Sequence, residues 1–257
     1  MKIFELSRQK NIRDLGGLVT KDGHSIKYGK IYRGGILSKA SEEDLKIINS
    51  WHLTDIVDFR SEVEFNDRKD IFIEGATYHN FPAIKSNPNA LNSFKEDGNL
   101  IWFVGEGDTG FNHLRRQYIE LVTLDLGINA YRKFFEVISK ENAVTYFHCS
   151  QGKDRAGLAA FLFEIALGVD IETAKEDYLL TNRAMEMKID GLIAKVKDKH
   201  FYNEEYHQSL VDVFSAKLEY LDAALSAIEE NYGSLESFIV GTLKVDIPKL
   251  KEIYLEK

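Results

Sequence analysis

The residues with the clearest chemical potential lie in one run, HCSQGKDRAG, at positions 148–157. This run contains the only cysteine of the chain, Cys149, and Arg155 follows it in the C-x5-R spacing. A thiolate is a strong nucleophile, and a guanidinium can bind two oxygens of one phosphate group. The spacing therefore indicates a nucleophile and an anion clamp that act on the same phosphate.

The segments on either side of the run explain how these groups would be positioned. NAVTYFH (142–148) is typical of a buried strand, and RAGLAAFLFEIALG (155–168) is typical of a buried helix. The first turn of a helix offers unpaired N–H groups and a positive dipole end, which bind anions. Gly152 lets the backbone curl around such an anion. The field in this cup also favours the thiolate form of a cysteine.

The chemistry predicted from this loop is phosphoryl transfer in two steps. The thiolate attacks phosphorus, an acid protonates the leaving alcohol, and water then hydrolyses the phosphocysteine. The phosphate-binding residues are expected to be Ser150, Gln151, Gly152, Lys153 and Arg155. No metal or cofactor is expected, because the sequence has no HExxH motif, no clustered His/Asp ligands and no GxxxxGK[ST] motif. The alternative is that Cys149 is a small buried apolar residue.

The general acid is less evident than the nucleophile. Asp154 is favoured because it lies in the loop and needs no loop closure, although it could instead bond loop N–H groups or orient an arginine. Asp97 and Asp108, in the irregular segment 83–110, are the other candidates. His148 is expected to tune the thiolate indirectly, because it points to the sheet face opposite the cysteine.

Three further residues are predicted to support the site. Asp58 and Arg60 end a predicted parallel strand, where open α/β sheets place their ligand crevices. Arg60 is expected either to line the pocket and contact phosphate or to pair with Glu64 or Asp14. Asp14, in NIRDLGGL (11–18), is expected to brace the underside of the site.

Composition limits the class of protein and its partners. The chain has 257 residues, of which 44% are hydrophobic and 29% charged, as in ordinary globular proteins. Lys and Arg number 33 and Asp and Glu 41, so the net charge of 33 − 41 = −8 argues against nucleic acid or anionic membrane as the main partner. A single cysteine forms no internal disulfide, and no apolar run has the length of a signal peptide or membrane span. A cytoplasmic location is expected, with leaderless secretion and the oligomeric state left open.

The predicted architecture is an α/β fold with a central sheet flanked by helices. Strands alternate with helices early in the chain, and helices alone follow residue 171. We expect one domain over 1–257 that ends in a helical extension of about 184–257. The early elements expected are a helix over 42–51 capped by Ser41 and strands over 54–59 and 76–81.

The loop resembles the HCxxGKDRTG signature of bacterial tyrosine and dual-specificity, lipid-active cysteine-dependent phosphatases, which is similar in turn to myotubularin-type lipid phosphatases. Further segments resemble that family in the same order: NIRDLGGL (11–18), IYRGGILSKASEEDL (31–45), IVDFRSEVE (56–64), EDYLLTN (176–182) and NYGSLESFI (231–239). The resemblance implies a tyrosine-phosphatase-like fold acting on phosphotyrosine, with activity on phosphoserine, phosphothreonine or phosphoinositides also open. Family members with a loop lysine are associated with lipid activity. Lys153 could bind a second phosphate or pair with an acid of 56–64.

Two departures from that family pattern concern the mechanism. Ala156 stands where the family has Thr or Ser, whose hydroxyl is thought to help the sulfur leave. We therefore predict slow breakdown of the phosphocysteine, which Ala156→Ser would speed. Ala83 stands where relatives can carry an acidic residue after the Phe-Pro pair. These departures are the arguments for one alternative, a phosphoryl-binding module with low turnover. The other alternative is a phosphoinositide phosphatase on the same scaffold.

Overall fold

A mixed six-stranded sheet forms the centre of the protein. The computed structural model describes residues 2–6, 11–38, 40–85 and 108–256. The strands are β1 (Lys2–Phe4), β2 (Ile12–Asp14), β3 (Ile31–Gly34), β4 (Asp55–Asp58), β5 (Thr77–Asn80) and β6 (Thr145–His148). Their order across the sheet is β1-β2-β3-β6-β4-β5. The pairs β3/β6, β6/β4 and β4/β5 are parallel, and β1 and β2 add an antiparallel edge.

The helices flank this sheet and fill the C-terminal part of the chain. Within the described ranges the α-helices are α1 (Glu42–Asn49), α2 (Glu62–Asp67), α3 (Gly110–Thr123), α4 (Asp125–Ile138), α5 (Arg155–Leu167), α6 (Ile171–Leu179), α7 (Thr181–Val196), α8 (Glu204–Phe214), α9 (Leu218–Tyr232) and α10 (Ile247–Tyr254). A π-helical turn, Ser237–Thr242, precedes α10. The predicted α/β class, with a central sheet and flanking helices, is confirmed. No helix in the described ranges is long and apolar enough to cross a membrane.

The predicted early elements match the structure closely. Ser41 caps α1, accepting a hydrogen bond from the Asp44 amide while the Asp44 side chain accepts one from the Ser41 amide. The two predicted strands correspond to β4 and β5. Most of the segment predicted to be irregular, including Asp97, lies outside the described residues.

Alternation along β6 places successive residues on opposite faces of the sheet. Phe147 and Cys149 join the large apolar core, whereas Tyr146 belongs to the smaller core on the other face. The His148 ring stacks on Tyr146 at a centroid distance of 5.5 Å. The predicted placement of His148 opposite Cys149 is therefore confirmed.

The helix after the loop is held by burial on nearly all sides. From Arg155 to Leu167 every residue of α5 except Ile165 is buried. The helix ends at Gly168, whose φ of 94° lies in the left-handed region that glycine adopts without strain. Because α5 cannot shift within this core, its N-terminus is a fixed reference point for the loop before it.

Candidate active site

Residues 149–154 form the loop between β6 and α5, and its carbonyl groups bond to residues outside it. Gln151 O accepts a hydrogen bond from Asn11 Nδ2 at 3.0 Å, and Gly152 O accepts one from Arg33 Nη2 at 3.1 Å. Ser150 O also accepts a hydrogen bond from a backbone amide, at 3.4 Å. A trans peptide directs its N–H opposite to its carbonyl. The N–H groups that follow these three carbonyls therefore face away from those outer partners.

Gly152 is required in this loop by both its conformation and its surroundings. Its φ is +69°, and a Cβ atom at this position would lie 2.3 Å from the carbonyl oxygen of Gly34. A side chain would clash with backbone that cannot move aside cheaply. The loop therefore packs against the end of β3 so closely that only glycine fits at position 152.

Cys149 and Arg155 lie at the two ends of the loop, as their spacing suggested. Cys149 is 2% exposed. Both terminal nitrogens of Arg155 bond to Glu64, with Nη1–Oε2 at 2.6 Å and Nη2–Oε1 at 2.9 Å. Arg155 Nε is buried and has no hydrogen-bond partner among the described residues. A buried guanidinium N–H without a partner is unusual and costly, so this donor is available to an anion in the loop.

Glu64 is the main residue of the site that the sequence reasoning misplaced, because it was considered only as a partner of Arg60. Besides holding Arg155, its Oε1 accepts a hydrogen bond from the Ser150 hydroxyl at 2.5 Å. Burial alone would raise the pKa of Glu64, but Arg155 and these hydrogen bonds hold it well below its usual range. The sequence contains a signal for its position, since Ser61 and Glu64 form a capping box at the start of α2.

The expectation for Arg60 is wrong in both of its forms. Arg60 pairs with Asp58 (Nη2–Oδ2, 2.7 Å) and with Asp70 (Nη2–Oδ2, 3.1 Å) rather than with Glu64 or Asp14. Its Nη1 donates to a backbone carbonyl at 2.6 Å. Because these contacts use the guanidinium fully, neither Asp58 nor Arg60 is directed at a phosphate in the loop.

Asp58, Arg60, Asp70 and His148 form one buried group, called here the His148 cluster. His148 Nε2 lies 3.0 Å from Asp70 Oδ2, and Nδ1 lies 3.1 Å from the carbonyl oxygen of Cys149. Burial would lower the pKa of His148, but the two carboxylates outweigh it and raise the pKa to about 9. Asp58, Asp70 and His148 are close enough together to hold a metal ion, yet Arg60 binds both carboxylates and, together with the charged His148, balances their two negative charges. The cluster therefore forms a set of buried ion pairs behind Cys149, and the indirect tuning of the thiolate by His148 stays a prediction.

Asp14 does not reach the underside of the loop. Its carboxylate accepts hydrogen bonds from the amides of Gly16 and Gly29, both at 2.8 Å, and so fixes the connection between β2 and β3. Its neighbour Arg13 lies nearer the site, because Arg13 Nη1 donates to Asn11 Oδ1 at 2.8 Å and Asn11 holds the loop. The prediction for Asp14 is corrected accordingly.

Beneath Gly152 lies a second buried charge group, called here the Arg33 cluster. Its members are Arg13, Arg33, Asp177 and Glu164. Asp177 binds both arginines, with Arg13 Nε at 2.8 Å and Arg33 Nη1 at 2.9 Å. Burial and the neighbouring Asp177 raise the pKa of Glu164 well above its usual value, which favours the neutral form of this carboxyl. The only sequence signal for Glu164 is that it is the single acid in an otherwise apolar helix.

Lys153 and Asp154 pair with each other inside the loop. Lys153 Nζ lies 2.8 Å from Asp154 Oδ1 and donates to the carbonyl oxygen of Ser215 at 3.0 Å. It has neither the predicted partner in segment 56–64 nor an exposed position, because Lys153 is 1% exposed. The Asp154 side chain makes no capping hydrogen bond to α5. Asp108, the other described candidate for the acid, lies just before α3 and pairs with Arg116 of that helix.

Comparison with known proteins identifies the family of this chain. A sequence model of the tyrosine phosphatase family matches residues 4–256. A Cupriavidus necator protein with the provisional name of a tyrosine-protein phosphatase is 25% identical over 254 residues, which cover 95% of this chain and 85% of that protein. The triple specificity protein phosphatase PtpB of Mycobacterium tuberculosis is 22% identical over 286 residues, covering 99% of this chain and all of that protein.

Proposed function

The chain belongs to the tyrosine phosphatase family, and we propose that it hydrolyses phosphotyrosine through a covalent intermediate on Cys149. The observation that carries this proposal is the state of Arg155. Glu64 binds both terminal nitrogens, and the buried Nε–H has no partner among the described residues. A guanidinium held in place with an unpaired donor, at a helix N-terminus beside a thiol, suits a bound phosphate.

In the first step the Cys149 thiolate attacks phosphorus in line with the leaving group. A sulfur–phosphorus bond forms as the phosphorus–oxygen bond to tyrosine breaks, and the loop amides and Arg155 stabilise the equatorial oxygens. Asp154 donates its proton to the departing phenolate oxygen. In the second step water attacks the phosphocysteine, Asp154 takes a proton from that water, and the thiolate leaves. The products are tyrosine and inorganic phosphate.

The test begins with p-nitrophenyl phosphate as substrate. Wild-type protein should release p-nitrophenol, and Cys149→Ser should abolish release while folding normally. Because Cys149 is the only cysteine, a phosphoryl adduct that acid quenching traps in wild type, and that is absent from Cys149→Ser, can be assigned to the thiol of Cys149. Release of p-nitrophenol that persists in Cys149→Ser would contradict the cysteine mechanism. Absence of release by wild type would favour a phosphoryl-binding module instead.

The assignment of the acid needs a separate comparison of variants. Asp154 is proposed because its side chain, 17% exposed, remains accessible in the loop. On phenyl phosphate, whose leaving group requires protonation, Asp154→Asn should lose much more activity than Asp108→Asn, because the carboxylate of Asp108 is engaged with Arg116. Asp97→Asn covers the candidate outside the described residues. A loss confined to Asp97→Asn would move the acid to that segment.

The substrate range is proposed to extend beyond phosphotyrosine. The name triple specificity protein phosphatase, which one relative carries, supports trying several phosphate monoesters. Phosphotyrosyl, phosphoseryl and phosphothreonyl peptides and phosphoinositides should be compared by kcat/KM at one pH. We expect phosphotyrosyl peptides to give the highest kcat/KM. A higher kcat/KM for phosphoinositides would favour the hypothesis of a phosphoinositide phosphatase instead.

A further inference from the structure

The two carboxylate oxygens of Asp154 have different surroundings. Oδ1 lies 3.1 Å from the hydroxyl of Tyr118, which donates to it, and 2.8 Å from Lys153 Nζ. Oδ2 accepts no hydrogen bond from the described residues. A protonated carboxyl carries its hydrogen on one oxygen, and two fixed donors on Oδ1 leave Oδ2 as the oxygen able to carry it.

Tyr118 is a fixed donor rather than a mobile one. It lies on α3 and is fully buried, and its hydroxyl lies 2.8 Å from that of Tyr178 on α6. The Tyr178 hydroxyl is also 3.3 Å from the carbonyl oxygen of Lys217. Burial, together with the charge of Asp154, raises the pKa of Tyr118 well above its usual value. The raised pKa favours the protonated form of Tyr118, which is the form that donates a hydrogen bond to Asp154.

Lys153 is equally constrained, from another part of the fold. Its ammonium group donates to Ser215 O at 3.0 Å, in the segment between α8 and α9, and lies 5.9 Å from the centre of the Tyr220 ring. These contacts direct the ammonium group toward Asp154 and the protein interior. They do not direct it toward a second phosphate on a substrate.

We propose that Tyr118 and Lys153 are positioning residues for the general acid: together they hold Asp154 by Oδ1 and leave Oδ2 to carry the transferred proton. This inference rests on the proposed role of Asp154. It gives a positioning role to Tyr118, which lies 36 positions before Asp154 in the sequence. It gives the same role to Lys153, which the family resemblance alone would place in contact with the substrate.

The consequence that can be measured is a dependence on the leaving group. Protonation matters little for a weakly basic leaving group such as p-nitrophenol and much more for phenol. Impaired positioning of the acid should therefore reduce kcat/KM for phenyl phosphate while largely sparing p-nitrophenyl phosphate. A general loss of loop structure would reduce both by the same factor.

The experiment compares Tyr118→Phe, Asp154→Asn and the double variant on these two substrates. Tyr118→Phe removes only the hydroxyl, and we expect a loss of about tenfold on phenyl phosphate, part of the about 10²–10⁴-fold that a positioned acid contributes. In the Asp154→Asn background, Tyr118→Phe should have no further effect on the ratio of the kcat/KM values for the two substrates. Tyr254→Phe is the matched control, because that buried hydroxyl donates to Ile138 O and does not contact the loop.

The possible results separate this inference from the assignment of the acid. Suppose that Asp154→Asn shows the leaving-group effect but Tyr118→Phe lowers kcat/KM equally for both substrates. The positioning role of Tyr118 is then refuted, and the role of Asp154 as the general acid stands. If Asp154→Asn shows no leaving-group effect, both proposals fail. Lys153→Met provides a second check, since it should reproduce the substrate ratio of Tyr118→Phe. A lowered affinity for phosphoinositides alone would instead place Lys153 on the substrate.

Discussion

Glu64→Gln separates the orientation of Arg155 from its presence. The wild-type carboxylate receives two guanidinium nitrogens at 2.6 and 2.9 Å and the Ser150 hydroxyl at 2.5 Å. Glutamine has nearly the same shape but no charge, and only one of its two head atoms accepts hydrogen bonds. In either orientation the amide NH₂ would face a guanidinium nitrogen of Arg155, and in one of them it would also face the Ser150 hydroxyl. The substitution therefore removes the paired geometry while leaving the arginine in place.

The size of the effect follows from the burial of the pair. Breaking a fully buried ion pair costs about 3–5 kcal/mol. Because the two side chains here are 9% and 14% exposed, and glutamine keeps one acceptor, we expect a loss of about 2 kcal/mol in the free energy of unfolding. A guanidinium free to rotate should also reduce kcat/KM by about 10–100-fold, which corresponds to about 1.4–2.7 kcal/mol of transition-state stabilisation.

The stability effect should also depend on pH with a defined sign. The pKa of Glu64 in the folded state lies well below the ordinary value of 4.5. Its contribution to stability is therefore present above about pH 4.5 and is lost as pH falls. The difference in unfolding free energy between wild type and Glu64→Gln should accordingly shrink in acid.

The assays are urea unfolding at several pH values and kcat/KM for p-nitrophenyl phosphate. Glu62→Gln is the matched control, because it removes the same charge from the same first turn of α2 at an exposed position. We expect Glu62→Gln to resemble wild type in both assays. Wild-type kcat/KM in Glu64→Gln, or equal losses in the two variants, would refute the view that Glu64 orients the clamp.

Four other substitutions test separate parts of the site. Gly152→Ala should abolish activity, because its Cβ would lie 2.3 Å from a backbone oxygen. Gly233→Ala is the control, since it has a similar φ of +80° but open space around it. It should lower the temperature of thermal unfolding slightly, through backbone strain alone, and leave activity unchanged. Glu164→Gln should become more stable relative to wild type as pH rises above 4.5, by up to about 1.4 kcal/mol in unfolding free energy per pH unit. The reason is that the pKa of Glu164 is raised in the folded state. Unfolding of wild type therefore releases a proton at these pH values, which favours the unfolded state. His148→Gln should lower the free energy of unfolding by up to about 3 kcal/mol relative to wild type below pH 6.5. Urea titrations should show this difference becoming smaller as pH rises toward about 9, the pKa of His148 in the folded state. Ala156→Ser should shorten the lifetime of the phosphocysteine in rapid-quench assays, and unchanged turnover and burst amplitude would contradict the expected effect of the missing hydroxyl.

Local sequence was enough to predict the elements whose contacts are local. The strand before Cys149, the buried helix after it and the glycine that ends that helix all follow from hydrophobic pattern and backbone conformation within about twenty residues. The same holds for Ser41 and the helix that it caps. At this level, propensity, pattern and capping agree with the final fold, so neighbouring residues alone predict the outcome.

The partner of each charged residue could not be predicted in this way. Glu64 and Arg155 are 91 positions apart, and they meet because β4 and β6 are adjacent parallel strands in register, with Asp58 opposite His148. A one-dimensional pattern does not contain that strand order. The capping box places Glu64 on the first turn of its helix, but only the sheet places that turn beside the loop. Arg60 was assigned Glu64 or Asp14 as its partner, whereas it pairs with Asp58, two positions before it, and with Asp70, which lies beyond α2.

The positive field at the loop has an origin that no count of charges would indicate. The pairs within the loop and the His148 cluster are each neutral overall, since every cation there has a matching carboxylate. In the Arg33 cluster, Arg13 and Arg33 both bind Asp177, and burial together with that carboxylate raises the pKa of Glu164. The raised pKa favours the protonated form of Glu164 and so leaves less negative charge to balance the two arginines. We therefore expect this cluster, bonded to the loop through Arg33, to add to the attraction of the loop for phosphate in a protein of net charge −8.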